Sequence, residues 1–203
     1  MHLMTDSTTL VGNPSLPEGG ASPLVTLLTS INTRWHRGAM WTFMLVVLAH
    51  WVEHVFQAYQ IWGMGMPRPH ALGALGMLWP WLVHSEWLHY GYAFVMLAGL
   101  LLLRPGMTGR ARSWWSVALA LQFWHHLEHA LLLSQALTGW RLAGHAEPTS
   151  LIQLVVPRVE LHLFYNGVVF VPMVVGMLYH LYPSPAERAA MRCTCAASRA
   201  APA

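Results

Sequence analysis

Residues 39–63 read AMWTFMLVVLAHWVEHVFQAYQIWG. The stretch exceeds the roughly 20 predominantly apolar residues that a helix needs to cross a bilayer. Its main polar exceptions are not scattered: they are His50, Glu53, His54, Gln57 and Gln60. Helix positions three and four apart share a face, so His50, Glu53, His54 and Gln57 form one stripe. An ionisable side chain at the centre of a membrane span costs roughly 2.5–3.5 kcal/mol on insertion scales. Such a stripe must therefore turn toward partner helices.

Three further stretches, 86–103, 113–137 and 159–182, are long and apolar enough to be partners. At or beside each lies a glutamate with histidine: HSEWLH (His84, Glu86, His89), HHLEH (His125, His126, Glu128, His129) and ELHLFYN (Glu160, His162, Asn166). Four of the seven glutamates and eight of the thirteen histidines sit in these clusters, so the pattern is not background composition. The chain has 203 residues, 55% hydrophobic and only 9% charged, with mean hydropathy +0.41. That balance belongs to membrane proteins. The fold class expected is all-α integral membrane: a four-transmembrane-helix bundle, a duplicated two-helix unit, with a short N-terminal amphipathic helix.

The boundaries follow from composition. Residues 1–22, rich in Ser, Thr, Pro and Gly, read as a disordered tail. Residues 23–36 read as an amphipathic interfacial helix: Ser22-Pro23 makes a cap and first turn, and Leu24, Leu27, Leu28, Ile31 and Trp35 recur at helical spacing. Residues 37–183 form the four-helix transmembrane metal-binding domain, and 184–203 a cytoplasmic tail. The loop 64–83 is unusually apolar and is expected to dip toward the membrane interface and cover what lies beneath.

All eleven basic residues are Arg. Arg34, Arg37, Arg104, Arg110, Arg112, Arg188, Arg192 and Arg199 fall on one side of the spans, against Arg68, Arg141 and Arg158 on the other. The excess of basic residues marks the inner side. This predicts a multi-pass protein of a bacterial inner membrane with both termini cytoplasmic. The basic balance belongs to membrane edges and implies no nucleic-acid partner. At 1.5 Å per residue, His50–His54 lie about 16–23 Å from the inner face. The other clusters reach a similar depth, in the outer half of the bilayer.

A shift of 75 residues superposes Arg37, His50, Glu53, His54 and Gln60 on Arg112, His125, Glu128, His129 and Gln135. A shift of 76 pairs Glu86 with His162, Tyr90 with Asn166 and Gly91 with Gly167. This reads as a duplicated helix pair in parallel orientation, and a site is expected on its axis.

Carboxylate with imidazole suits iron, manganese or zinc. The convergent set expected to ligate metal is His50, Glu53, His54, Glu86, His89, His125, Glu128, His129 and His162. These suffice for two divalent ions, iron first, with zinc or manganese as alternatives. His84, His126, Glu160, Tyr90, Tyr165, Asn166 and Gln57 stand as further ligands or supporting donors. Soluble carboxylate-bridged dimetal proteins build a related site from four facing helices. The chain is also similar in kind to the histidine-rich membrane hydroxylases and desaturases, although their H-x-x-H-H boxes are absent and their sites face the cytoplasm. The expected function is oxygen-dependent oxidation of a lipophilic substrate reached from the lipid bilayer, with the catalytic residues and electron donor unassigned. The alternatives are a b-type haem cytochrome, which explains histidine but not glutamate, and a metal or proton transporter. His36, His70, His145 and His180 are expected to be solvated. So are Cys193 and Cys195, a C-x-C in a polar tail.

Overall fold

The computed structural model describes residues 22–196. The tail expected to be disordered lies, apart from Ser22, outside the described residues, as do residues 197–203. The helices are α1 (Pro23–Ile31), α2 (His36–Ala58), α3 (Gly73–Leu78), α4 (Trp81–His84), α5 (Glu86–Leu103), α6 (Gly109–Thr138), α7 (Arg158–Leu181) and α8 (Pro185–Ala190). No strand occurs among the described residues.

Helix α1 starts as its sequence dictates, with the Ser22 hydroxyl accepting from the Val25 amide at 3.4 Å and Pro23 in the first turn. It stops at Ile31, short of residue 36, because Asn32 ties the chain to α5. The Asn32 amide donates to the Leu28 and Leu102 carbonyls at 3.0 and 2.9 Å, and its oxygen accepts from the Gly106 amide at 2.8 Å.

Three helical stretches are long and apolar enough to cross a membrane: His36–Gly63, Glu86–Gly106 and Arg158–Leu181. The first includes a π-turn that prolongs α2 to Gly63. Four spans were expected. The fourth long helix, α6, has 30 residues but is less apolar, because it carries Gln122, His125, His126, Glu128, His129 and Gln135. All of these except His126 are buried. Helix α6 packs against both α5 and α7, while α2 closes the bundle against α7 and α5.

The half of the bundle nearer the described termini is a continuous apolar core. Met40, Phe43, Met44 and Val47 of α2 meet Met96, Leu100 and Leu103 of α5, Trp115 and Ala118 of α6, and Val169, Met173 and Met177 of α7. Trp115 is fully buried, and its indole N–H donates to the Leu100 carbonyl at 2.9 Å. Gly176 lets α7 approach α6 closely: a Cβ there would sit 3.2 Å from the Ala111 oxygen and the Trp115 nitrogen. Outside this core, Leu45, Val52, Phe94, Leu101, Phe123, Phe164 and Val171 are all exposed. An apolar exterior of that extent suits hydrocarbon.

The two loops at the far end are fastened in matching ways. Glu53 accepts from the Leu75 and Gly76 amides at 2.8 and 3.3 Å, and Gln60 accepts from the Gly73 amide at 2.8 Å. In α6, Glu128 accepts from the Ile152 amide at 3.3 Å. Gln135 accepts from the Thr149 amide at 3.3 Å and donates to its carbonyl at 2.8 Å. The apolar loop is thereby folded back over α2 as two short helices, α3 and α4.

Gly73 makes that docking possible. Its φ is +77°, and a Cβ would stand 2.3 Å from a Glu53 oxygen. Gly65 also has positive φ, +68°, but open space around it. Left-handed backbone at a non-glycine residue costs of order 1–3 kcal/mol. Gly73→Ala is expected to lower the thermal midpoint clearly more than Gly65→Ala. Equal shifts would show that the Glu53 contact is not rigid.

Candidate metal centre in a chamber of six imidazoles

The second half of α2, the start of α5, the second half of α6 and the start of α7 lie at the end of the bundle away from the described termini. Each faces inward with histidine. His50 and His54 approach Nε2 to Nε2 at 3.0 Å, and His125 and His129 do the same at 3.2 Å. The ring pairs are nearly superposable, with centroids 4.5 Å apart at 80° in one and 4.6 Å apart at 79° in the other. His89 and His162 lie between them, 6.0 Å apart. His54 to His162 is 5.4 Å and His129 to His89 is 6.1 Å.

Neighbouring groups fix how these rings present themselves. His89 Nδ1 lies 2.9 Å from the Ser85 carbonyl, and His162 Nδ1 lies 2.8 Å from the Arg158 carbonyl. A carbonyl only accepts, so in both rings Nδ1 carries the proton and Nε2 is left as a lone pair. His54 Nδ1 is held by the Gln57 side chain at 2.8 Å, again leaving Nε2 toward the chamber. Orientation through the far ring nitrogen is the arrangement that metal-binding histidines use. Tyr92 stacks on His50 at 3.5 Å, and Tyr165 lies tilted beside His125 at 4.4 Å. His89 and His162 hold like positions 73 residues apart, as do Tyr92 and Tyr165, whereas the sequence reading set Glu86 against His162 at 76.

Several buried polar atoms around the chamber have no partner: His162 Nε2, His125 Nδ1, His129 Nδ1 and Asn166 Nδ2. Unpaired buried polar groups are costly, and among these His162 Nε2 offers its lone pair to the chamber. An enclosed void of about 10 Å³, bounded by His50, His89, His125, His129, His162 and Asn166 among others, lies among them. Two larger cavities share some of its lining histidines. A cavity of about 790 Å³ reaches His54, His89 and His162 past Arg68, His84, Glu86 and Arg158. A side pocket of about 160 Å³ reaches His50, His54 and His89 between Leu75, Leu82, Val83 and Leu88.

The carboxylates are placed otherwise than the imidazoles. Glu53 and Glu128 bind loop amides. Glu86 takes a two-pronged bond from Arg158 at 2.6 and 2.9 Å, and Glu160 accepts from Arg68 Nε at 2.9 Å. The apolar loop carries Arg68 back over the chamber to Glu160, a pairing that spacing along the chain does not show. His84 lines the larger cavity, while His126 packs beside Tyr90 at 5.0 Å, away from the chamber. Tyr165 accepts from the Trp124 indole at 2.8 Å.

A second cluster stands at the opposite end of the bundle, where sequence reasoning placed only solvated groups. His36 and His180 are fully buried, not solvated. With Cys193 and Cys195 they bring four ligand atoms within 4.8 Å of one another, a group that can hold a metal ion. Among the described residues it is the one group of three or more His, Cys, Asp or Glu gathered so tightly. The Cys193 thiol is held well below its ordinary range by hydrogen bonds from Cys195, His180 and His36. Cys195 is pushed up by its bond to Cys193 and by burial. The missed signal was topological. His36 opens the first long helix and His180 ends the last, so the two share a depth with the tail that follows.

Comparison of the chain with protein-family models, with curated proteins and with solved structures gives no match.

Proposed function

We propose that this protein is an integral-membrane oxidoreductase of the bacterial inner membrane, built around a dinuclear metal centre held by His50, His54, His89, His125, His129 and His162. The observation that carries the reading is the pairing of imidazoles. Two Nε2 atoms bound at 2.0–2.1 Å to one ion, at angles between octahedral and tetrahedral, stand about 2.8–3.4 Å apart. The separations of 3.0 and 3.2 Å fall in that range. One ion at each pair, with His89 and His162 between, uses lone pairs that hydrogen bonds at Nδ1 direct inward on His54, His89 and His162. Iron is the assignment that suits oxygen-dependent oxidation, with zinc and manganese its alternatives.

Two approaches of opposite character support a lipophilic substrate. The larger, charged cavity suits water, protons and ions. The leucine- and valine-lined side pocket leads toward the same histidines from the apolar flank, where Leu75 and Leu88 are exposed. Glu53 and Glu128 in this reading brace the loops that cover the centre. Glu86 and Arg158 set a charged wall at its mouth. A b-type haem is less well accommodated, since the enclosed void of about 10 Å³ leaves no slot for a porphyrin between the rings. A transport route would have to cross the packed layer of Met96, Leu100, Trp115 and Met173.

Metal analysis with an absorption spectrum of the purified protein tests the reading. About two irons per chain at the centre without a haem Soret band are expected, and a Soret band would replace it with the cytochrome. Glu53→Gln and Glu128→Gln then separate anchor from ligand. An amide oxygen still accepts from the loop amides, so full metal content is expected. Loss of metal in these variants would make the carboxylates ligands.

A further inference from the structure

We propose that His36, His180, Cys193 and Cys195 form a closed, structural zinc site that clasps the C-terminal segment to the base of the bundle. It is separate from the six-imidazole centre and does not depend on it.

The distances carry the inference. His36 Nδ1 and His180 Nε2 are 3.2 Å apart. Cys193 Sγ lies 3.3 Å from His180 Nε2, and Cys195 Sγ lies 3.5 Å from His36 Nδ1. A tetrahedral zinc with bonds near 2.0–2.1 Å to nitrogen and 2.3 Å to sulfur spaces its donors about 3.3–3.8 Å apart. These three separations sit near that spacing, and all four atoms lie within 4.8 Å of one another. Two imidazoles with two thiolates is a donor set that selects zinc among the common divalent ions.

The His36 ring is set for the task. Its Nε2–H donates to the Leu103 carbonyl at 3.1 Å, which leaves the Nδ1 lone pair facing the cluster. The turn after α5 presses against this ring: a Cβ on Gly106 would lie 2.5 Å from it, so only glycine fits. Asn32 holds the same turn through the Gly106 amide. His36 opens α2 and His180 lies in the last turn of α7. The tail returns after α8, whose Ser184–Glu187 capping box and Glu187–Arg110 ion pair at 2.8 Å aim residues 191–196 back under the bundle. An ion here would join the start of α2, the end of α7 and the tail in one link. All four positions are protein donors, so none is open for substrate, the mark of a structural site. Free thiols fit a reducing compartment, in agreement with the arginine count that puts this end inside.

The thiolate-to-cobalt band reports this site alone, because the imidazole centre has no sulfur, and the ligand-field bands are read as the difference from the Cys193→Ser, Cys195→Ser protein. The full-length protein, purified in detergent under reducing conditions, is titrated with Co²⁺ and then with Zn²⁺. The expected result is thiolate-to-cobalt charge-transfer absorption together with the intense ligand-field bands of tetrahedral cobalt, both abolished by stoichiometric zinc. Cys193→Ser with Cys195→Ser should remove both features while the protein elutes as wild type. His180→Ala should weaken cobalt binding by at least tenfold, and the wild-type ligand-field bands stand as the four-donor test should that buried substitution fail to fold. No thiolate band in the wild type, weak octahedral ligand-field bands, or unchanged affinity in a folded His180→Ala protein would each overturn the site.

Discussion

Replacing His125 and His129 together by alanine is expected to remove about half or more of the metal from the central chamber. The measurement is made in a Cys193→Ser, Cys195→Ser background, so that the cluster at the base contributes nothing. Loss of a single outer partner of a metal ligand typically costs about 10–100-fold in affinity, and here one ion loses two direct ligands. His50→Ala with His54→Ala should act equivalently, because the two pairs match in distance and angle. His126→Ala on the same helix is the control, since that ring packs on Tyr90 and Phe94 away from the chamber. A folded His125, His129 variant with unchanged metal would remove the centre from this chamber. Loss confined to the second pair would leave a mononuclear site.

The second large effect belongs to the core. Trp115→Ala is expected to destabilise the bundle by about 3–5 kcal/mol, the cost of deleting a buried aromatic and leaving its cavity. Trp115 is fully enclosed at the junction of α2, α5, α6 and α7, and its deletion also leaves the Leu100 carbonyl without its indole donor. Trp114, one residue earlier and exposed, should change stability by less than about 0.5 kcal/mol when replaced by alanine. Unfolding midpoints of the two variants in one detergent give the comparison. Similar midpoints would mean that lipid-facing packing, and not this core, holds the helices together. Since the same core closes the bundle beneath the histidines, Trp115→Ala should also loosen metal retention in the chamber.

The helical architecture and the convergence of histidine were legible in the chain, because both depend on short-range periodicity. Apolar length pointed to four spans, of which three are long and apolar enough in the structure, and the spacing of four between His50 and His54, or His125 and His129, puts each pair on one face whatever the tertiary fold. The cost of burying such a face dictates that the faces meet. The fourth span was harder to judge, since α6 carries enough inward polar side chains to lower its mean hydropathy while still forming 30 residues of helix. Which partner each carboxylate takes was not legible. Glu53 and Glu128 sit one turn from the histidines, and only the return of loops at Leu75 and Ile152 shows amides reaching them.

Sequence by itself determined the long helices and the face each histidine pair shares, because these follow from local helix geometry. Tertiary structure alone decided the long-range partners. Arg68 reaches Glu160 across 92 residues, and His36 meets His180 across 144 residues beside a C-x-C whose spacing alone is a weak signal. A helix fixes neighbours within a turn or two. The ends of different helices meet only through loop length and packing, which no periodicity encodes.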